Sequence, residues 1–199
     1  MKNRALIIFI RNPELGKVKT RLARTMGNER ALRIYRALLA HTRQVTLAVS
    51  AQRLLFYSQQ VIRQDDWPES SFRKFLQEGP GLGERMQHAF KLALAQADAA
   101  IIVGSDIARL SSEIIETAFE QLSTHDFVIG PALDGGYYLL GMKALQPEVF
   151  RDIPWSTSRV FNDTTSIISH LGKTYALTPM LSDIDQAEDW EREGWDLDK

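Results

Sequence analysis

Strand-like and helix-like segments alternate along this 199-residue chain, which predicts a single α/β domain of three layers, with helices on both faces of a mainly parallel sheet. Three observations carry that prediction. The runs Ala5-Leu6-Ile7-Ile8-Phe9-Ile10 and Ala100-Ile101-Ile102-Val103-Gly104 are apolar without alternation, as strands covered on both faces are. Between the strand-like runs, apolar residues recur every three or four positions. Gly and Pro fall at the junctions. With 44% hydrophobic residues and no repeat, low-complexity tract or linker, residues 1–199 read as one domain able to bury a core.

The elements follow in order. Residues 5–10 form the first strand, and Arg11-Asn12-Pro13-Glu14-Leu15-Gly16 break it into a loop. Asn28 is placed to cap a helix whose buried stripe is Ala31, Ile34/Tyr35, Leu38/Leu39, Thr42 and Val45. Residues 54–57 are a short strand. Gly79-Pro80-Gly81 feeds a second helix with the face Leu82, Met86, Ala89/Phe90, Ala93/Leu94 and Ala97. After the strand at 100–104, Ser111-Ser112 cap a helix carrying Ile114/Ile115, Ala118/Phe119 and Leu122, with Glu113 and Glu116 favourably near its N-terminus. Residues 127–129 and 137–140 are further strands, and 158–171 and 186–193 are helical.

Composition removes several functions. A net charge of −1 gives no overall pull toward nucleic acid or membrane, and the four tryptophans are not interleaved with basic residues as a base-stacking surface would require. The longest clean apolar run is six residues, against the roughly 20 that a membrane span needs, and it is too short and too near the start for a signal sequence. A soluble, cytoplasmic protein is expected. Absence of cysteine excludes thiol catalysis, Cys-based zinc and iron–sulfur ligation. His41, His88, His125 and His170 have neither metal-like nor triad-like spacing.

Charge is unevenly spread. Residues 1–50 carry eleven Lys/Arg and only Glu14 and Glu29, whereas residues 180–199 carry eight acids against Arg192 and Lys199. In an α/β sheet, ligands sit beyond the carboxyl ends of the strands, so the residues after each strand matter most. Arg11, Lys17, Lys19 and Arg21 follow the first strand. Gly16-Lys17 is not a phosphate-binding P-loop, because the first Gly of that motif would fall on Arg11 and its hydroxyl on Val18. The loop is either a solvated basic segment or a clamp for a di- or triphosphate, and its place after a buried strand favours the clamp. Asp106 ends the second buried strand, either as a helix cap or as a ligand to Mg²⁺ or Mn²⁺. Asp183 and Asp185 alternate in an extended segment, so both face one side, and either can complete a cation site opposite Asp106; Asp196 and Asp198 belong to a solvated tail. Asp134-Gly135-Gly136 is either a plain hairpin turn or an acceptor-facing carboxylate on a turn.

These blocks resemble a family, the bacterial glycosyltransferase-like proteins related to 2-phospholactate guanylyltransferase. The matching stretches are residues 12–23 (Asn12-Pro13-Glu14-Leu15-Gly16-Lys17-Val18-Lys19-Thr20-Arg21-Leu22-Ala23), 81–86, 104–107, 130–141, and Asp183-Ile184-Asp185 with Asp189. Ala108 and Gly81 depart from it, standing where Pro and Asp are usual. The resemblance runs from about residue 5 to residue 190 and implies a GT-A-like, Rossmann-like nucleotide-diphospho-sugar transferase fold. It implies Arg11, Gly16, Lys17, Lys19, Arg21, Gly83 and Arg85 around the nucleotide, and Asp106 and Asp185 on Mg²⁺ or Mn²⁺. Asp106, Asp134 and Lys19 are the expected catalytic residues, with Asp134, Gly135 and Gly136 toward the acceptor. The expected activity is glycosyl transfer from a nucleotide sugar to an acceptor. Nucleotidyl transfer with release of pyrophosphate is the alternative, for which Arg11 or Arg24 would serve the extra phosphate. A non-catalytic nucleotide sensor is the alternative of another class. Nucleobase, sugar, acceptor, stereochemical course and oligomeric state stay open.

Overall fold

The structure, a computed structural model, describes residues 3–197. Its elements in chain order are β1 (Arg4–Ile10), α1 (Thr20–Met26), α2 (Asn28–Leu47), β2 (Gln52–Tyr57), β3 (Arg73–Leu76), α3 (Leu82–Leu94), β4 (Ala99–Val103), α4 (Ser112–Gln121), β5 (Phe127–Pro131), β6 (Tyr137–Met142), a 3-10 turn (Pro147–Phe150), α5 (Val160–His170), β7 (Tyr175–Leu177) and α6 (Ala187–Glu193). The seven strands form one sheet in the order β3-β2-β1-β4-β6-β5-β7. All neighbours pair in parallel except β6, which runs antiparallel to β4 and β5. The short turn between β5 and β6 dictates this, because a parallel return needs a crossover of a dozen residues or more. A bulge at Gly130/Pro131 bends the end of β5 toward the turn.

Alternate side chains of β1 enter two different cores. Leu6, Ile8 and Ile10 pack with Tyr35 and Leu39 of α2 and with Ile115 and Phe119 of α4. Ala5 and Ile7 pack on the other side with Met86 and Phe90 of α3 and Ile168 of α5. This is why the β1 run needs no polar alternation, and it gives the three expected layers. A third cluster, with Leu22, Ile34, Leu38, Ile184 and Trp190, joins α1, α2 and α6.

Four elements lie outside the sequence expectations. Helix α1 occupies part of the stretch expected to be loop, and the β3 and β7 strands and the 3-10 turn were not anticipated. Gly27, with φ 80°, separates α1 from α2 and takes the cap position, so Asn28 is the first helical residue rather than the cap. Ser111 caps α4 as expected, its side chain accepting from the Ile114 amide. Asp198 of the acidic tail lies outside the described residues, while Asp196 is exposed. Among the described residues no helix is long and apolar enough to cross a membrane.

Candidate active site

The carboxyl ends of β1, β4 and β5 open onto two adjoining cavities, of about 690 and 360 Å³. Asp106, Asp134, Asp183, Ser156 and Thr157 line both and form their common wall.

The basic loop is built by local turns. Buried Asn12 anchors it: Nδ2 donates to the Gln60 carbonyl at 2.8 Å, and Oδ1 accepts from the Gln59 amide at 3.0 Å, tying the end of β1 to the loop after β2. Tyr35 of α2 repeats the tie, its hydroxyl accepting from the Arg11 amide, donating to the Arg11 carbonyl and lying 3.3 Å from Ser105 Oγ after β4. Burial, with the nearby Asp106 charge, holds the Tyr35 hydroxyl far above its ordinary value, so it is a neutral strut. Lys19, with a left-handed φ of 49°, precedes α1 and turns its side chain inward. Only 7% exposed, it donates from Nζ to the Ile184 carbonyl at 2.6 Å and pairs with Asp106 Oδ1 at 3.0 Å. Arg21 pairs with Asp185 at 2.6 Å on the rim of the larger cavity, where Arg11 also lies.

Convergence of the loop cations is therefore partial. Lys17 lies outside both cavities, 62% exposed and paired with Glu14 at 2.5 Å, because the turn at Gly16 (φ 74°) sends it outward. Arg24 lines neither cavity. Gly83 and Arg85 are also away from the cavity walls. Gly83 lets the first turn of α3 approach Phe150 and Trp155, since a Cβ there would sit 2.6 Å from the Phe150 carbonyl oxygen, and Arg85 donates to the Gly79 carbonyl.

The late acids arrive by backbone stitching. Leu181 bridges Ala132 in parallel, and the Ile184 amide donates to the Asp106 carbonyl at 2.9 Å with the Ile184 side chain fully buried. Asp183 then faces Asp106 and Asp134. Burial and the Asp134 charge push its carboxyl up to about 6, the Asp106 charge adding to the rise and Lys19 opposing it. Asp185 lines only the larger cavity, held by Arg21, whereas Asp183 lines both cavities beside Asp106. Asp189 accepts from the Asp185 and Gln186 amides and caps α6. Asp134 accepts from the Gly136 amide, and Gly135 packs so tightly on the 156–158 loop that a Cβ would lie 2.3 Å from the Ser158 carbonyl oxygen.

Electrostatics define the larger cavity. Its lining holds four cations (Arg11, Lys19, Arg21 and Arg192) and five carboxylates (Asp106, Asp134, Asp183, Asp185 and Asp189). Lys19, Arg21 and Arg192 pair with Asp106, Asp185 and Asp189. Asp134, Asp183 and Arg11 make no ion pair among the described residues. Among those residues, no three His, Cys, Asp or Glu side chains are grouped closely enough to ligate a metal ion by themselves. The all-oxygen donor set of Asp106 and Asp183 nevertheless fits a hard divalent cation that takes its other oxygens from a phosphate.

Sequence reasoning missed Tyr35, Arg192 and the segment 155–157. Tyr35 reads as a core residue in its helical stripe, and residues 158–171 read simply as a helix. The available signal was Pro154 with a Ser/Thr-rich run, where Ser156 adopts φ 64° at the common wall.

The same architecture is found in solved structures. A candidate nucleotide-diphospho-sugar transferase from Desulfovibrio desulfuricans G20 is 31% identical, with a TM-score of 0.85 over 94% of this chain and 84% of that one. The inositol-1-phosphate CTP transferase of T. maritima matches at 11% identity with a TM-score of 0.61, over 94% and 91% of the two chains. Glucosyl-3-phosphoglycerate synthase of Mycobacterium tuberculosis, solved with Mg²⁺ and UDP, matches at 13% identity with a TM-score of 0.54, over 91% and 70%. The last two share the fold alone. No curated protein matches the chain. The model of a family described as uncharacterized proteins conserved in bacteria, DUF2064, matches residues 37–157, more than half of the chain. By that match and by the Desulfovibrio relative, the chain belongs to this bacterial family and has the GT-A-like fold of nucleotide-diphospho-sugar transferases.

Proposed function

We propose that this transferase takes a nucleotide-diphospho-sugar as donor and transfers its glycosyl group at the wall that separates the two cavities. The observation that carries the proposal is the placement of charge: every cation of the site lines the larger cavity and none the smaller, while three of the five carboxylates, Asp106, Asp134 and Asp183, stand between the two. Lys19 and Arg21 contact the donor phosphates and stabilise the nucleoside diphosphate as it departs. Asp134 accepts the proton of the acceptor hydroxyl as that oxygen bonds to the anomeric carbon. The bond from that carbon to the diphosphate oxygen breaks, and its electron pair leaves on the nucleoside diphosphate.

Asp106 and Asp183 would hold Mg²⁺ or Mn²⁺. Asp183 is preferred to Asp185 because Arg21 already engages Asp185. When bound, the cation supplies neutralisation of the diphosphate charge.

One observation favours nucleotidyl transfer as a second reading. Arg11 lines the larger cavity with no carboxylate partner, a cation in reserve for a third phosphate. In that reaction the acceptor oxygen bonds to the α-phosphorus, its proton again passes to a carboxylate, and pyrophosphate leaves.

Calorimetric titration of nucleoside diphosphates, triphosphates and nucleotide sugars, with and without Mg²⁺ or Mn²⁺, tests both readings. Glycosyl transfer expects cation-dependent binding of a nucleotide sugar, with diphosphate bound at least as tightly as triphosphate, and loss of the cation dependence in Asp106→Ala with the fold unchanged. Tighter triphosphate binding with pyrophosphate release selects the second reading. Equal enhancement by Mg²⁺ in Asp106→Ala and wild type overturns the metal assignment.

A further inference from the structure

We infer that the smaller cavity is the acceptor site and that it selects an apolar alcohol carrying no negative charge. The inference rests on the reading above, in which the larger cavity holds the donor phosphates.

Its walls are ring faces and aliphatic chains, chiefly Phe9, Leu82, Met86, Tyr137, Trp155 and Val160. Not one Lys or Arg lines it, whereas Asp106, Asp134 and Asp183 stand at its boundary with the larger cavity. An acceptor with a phosphate or carboxylate in this lobe would face three acids and no cation on the lobe's own walls, Lys19 being held on Asp106 from the larger cavity. A 2-phospholactate-like acid is thereby disfavoured as the occupant.

A polyhydroxylated acceptor is disfavoured for a different reason: most of the wall's hydroxyls are engaged elsewhere or turned away from the cavity. Tyr138 Oη lies 2.7 Å from Thr178 Oγ1 and donates to the Pro179 carbonyl at 2.8 Å. Thr157 Oγ1 donates to the Pro154 carbonyl at 2.7 Å and accepts from the Arg159 amide at 3.3 Å. Tyr137 Oη is sealed from solvent on the side of Thr164, while its ring stands edge-on to Trp155 with centroids 6.3 Å apart. Ser156 and the Trp155 indole N–H are the side-chain donors that remain. A sugar hydroxyl turned to the apolar side of this lobe, away from those two donors and from the boundary carboxylates, would lose water without a replacement side-chain partner, at a cost for each one. An apolar body loses nothing of the kind, and its single hydroxyl meets the carboxylates at the boundary. The volume, about 360 Å³, lies at the small end of the range of about 300–1,000 Å³ for small-molecule sites.

The test uses a matched pair of probes, 3-phenylpropan-1-ol and 3-phenylpropanoate, with glycerol as the polar alcohol, each titrated by ligand-observed NMR into the protein. Wild type, Leu82→Glu and Lys19→Met are compared. Leu82 is 42% exposed in the first turn of α3, where an acid is favoured by the helix dipole, so the Glu variant folds and changes only the wall. The alcohol is expected to bind at least about tenfold more tightly than the carboxylate or glycerol. Leu82→Glu should weaken it by about tenfold or more while nucleoside diphosphate affinity is kept. Lys19→Met should do the reverse.

Equal or tighter binding of 3-phenylpropanoate or glycerol overturns the inference, as does alcohol binding that ignores Leu82→Glu. Displacement of the alcohol by an unphosphorylated nucleoside also overturns it, because the lobe would then be the nucleobase site. Alcohol binding in this pattern alongside failure of every nucleotide to bind strikes at the donor reading instead.

Discussion

Lys19→Met removes one charge from the centre of the site and leaves a side chain of similar length on the same left-handed backbone. Two contacts are lost, and their magnitudes differ. The hydrogen bond to the Ile184 carbonyl is partly buried and charge-assisted, so it contributes about 1.5–3 kcal/mol. The pair with Asp106 contributes no more than about 1 kcal/mol, because that carboxylate is 47% exposed and water takes over when the ammonium goes. Burying Met in place of an ammonium returns part of the loss, so a destabilisation of about 1–3 kcal/mol is expected. At about 2–4 °C per kcal/mol for a domain of this size, melting falls by roughly 2–12 °C. Nucleoside diphosphate affinity should fall further in relative terms, by about 30- to 150-fold, for one charge-assisted phosphate contact of about 2–3 kcal/mol. Urea unfolding and calorimetry read the two effects separately. Destabilisation with nucleotide affinity within twofold of wild type would mean that Lys19 only laces residue 184 to the end of β4, and the phosphate role would be refuted.

Three further outcomes follow from the same geometry. Arg11→Ala should lower nucleoside triphosphate affinity about tenfold, whereas Lys17→Ala should stay within about twofold, since Lys17 points to Glu14 outside the cavities; calorimetry on both variants checks this. Gly135→Ala should cost about 3 kcal/mol or more in urea unfolding, because it combines φ 88° with a Cβ 2.3 Å from the Ser158 carbonyl oxygen. Asp126, held below the usual carboxylate value by the Thr174 amide and hydroxyl and by Lys173, stabilises the fold above its unfolded value near 3.9 and stops doing so as pH falls through the lowered folded value. Asp126→Asn should thus be less stable by under about 1 kcal/mol at pH 7, with the gap closing in acid, as urea midpoints across pH will show.

The central strands were legible because burial on both faces leaves no polar alternation, as β1 and β4 show. The edges were not. β3 is Arg73-Lys74-Phe75-Leu76, with one side open to solvent and one neighbour, and β7 has three residues, so neither carries a run long enough to read. Helix α1 escaped notice because its seven residues bury little beyond Leu22, and its form depends on packing against α2 and α6. In the site, chain order after the strands located the basic loop, Asp106 and Asp134. What it could not show is that Asp183 lines both cavities while Asp185 is held by Arg21 in the larger one. Two residues apart on an extended segment they share a side, and a partner 164 positions away in sequence, Arg21, decides which is engaged.

That division of partners bears on how cation and nucleotide depend on each other. Lys19 Nζ sits on Asp106 Oδ1, so a divalent cation approaching Asp106 meets an ammonium already in place. A phosphate that draws Lys19 toward itself releases the carboxylate, and a cation on Asp106 in turn releases Lys19 for the phosphate. On the proposed reading each ligand would improve the site for the other, and the coupling would be reciprocal. Wild type should bind Mg²⁺ weakly without nucleotide and far better with it. In Lys19→Met the ammonium is absent, so Mg²⁺ should bind without nucleotide about tenfold more tightly than to wild type, while its enhancement by nucleotide shrinks. Isothermal titration of MgCl₂ into each protein, with and without nucleoside diphosphate, measures all four affinities. Equal Mg²⁺ affinity in the two unliganded proteins would show that Lys19 does not compete for Asp106, and the coupling argument would fail while the phosphate contact could still stand.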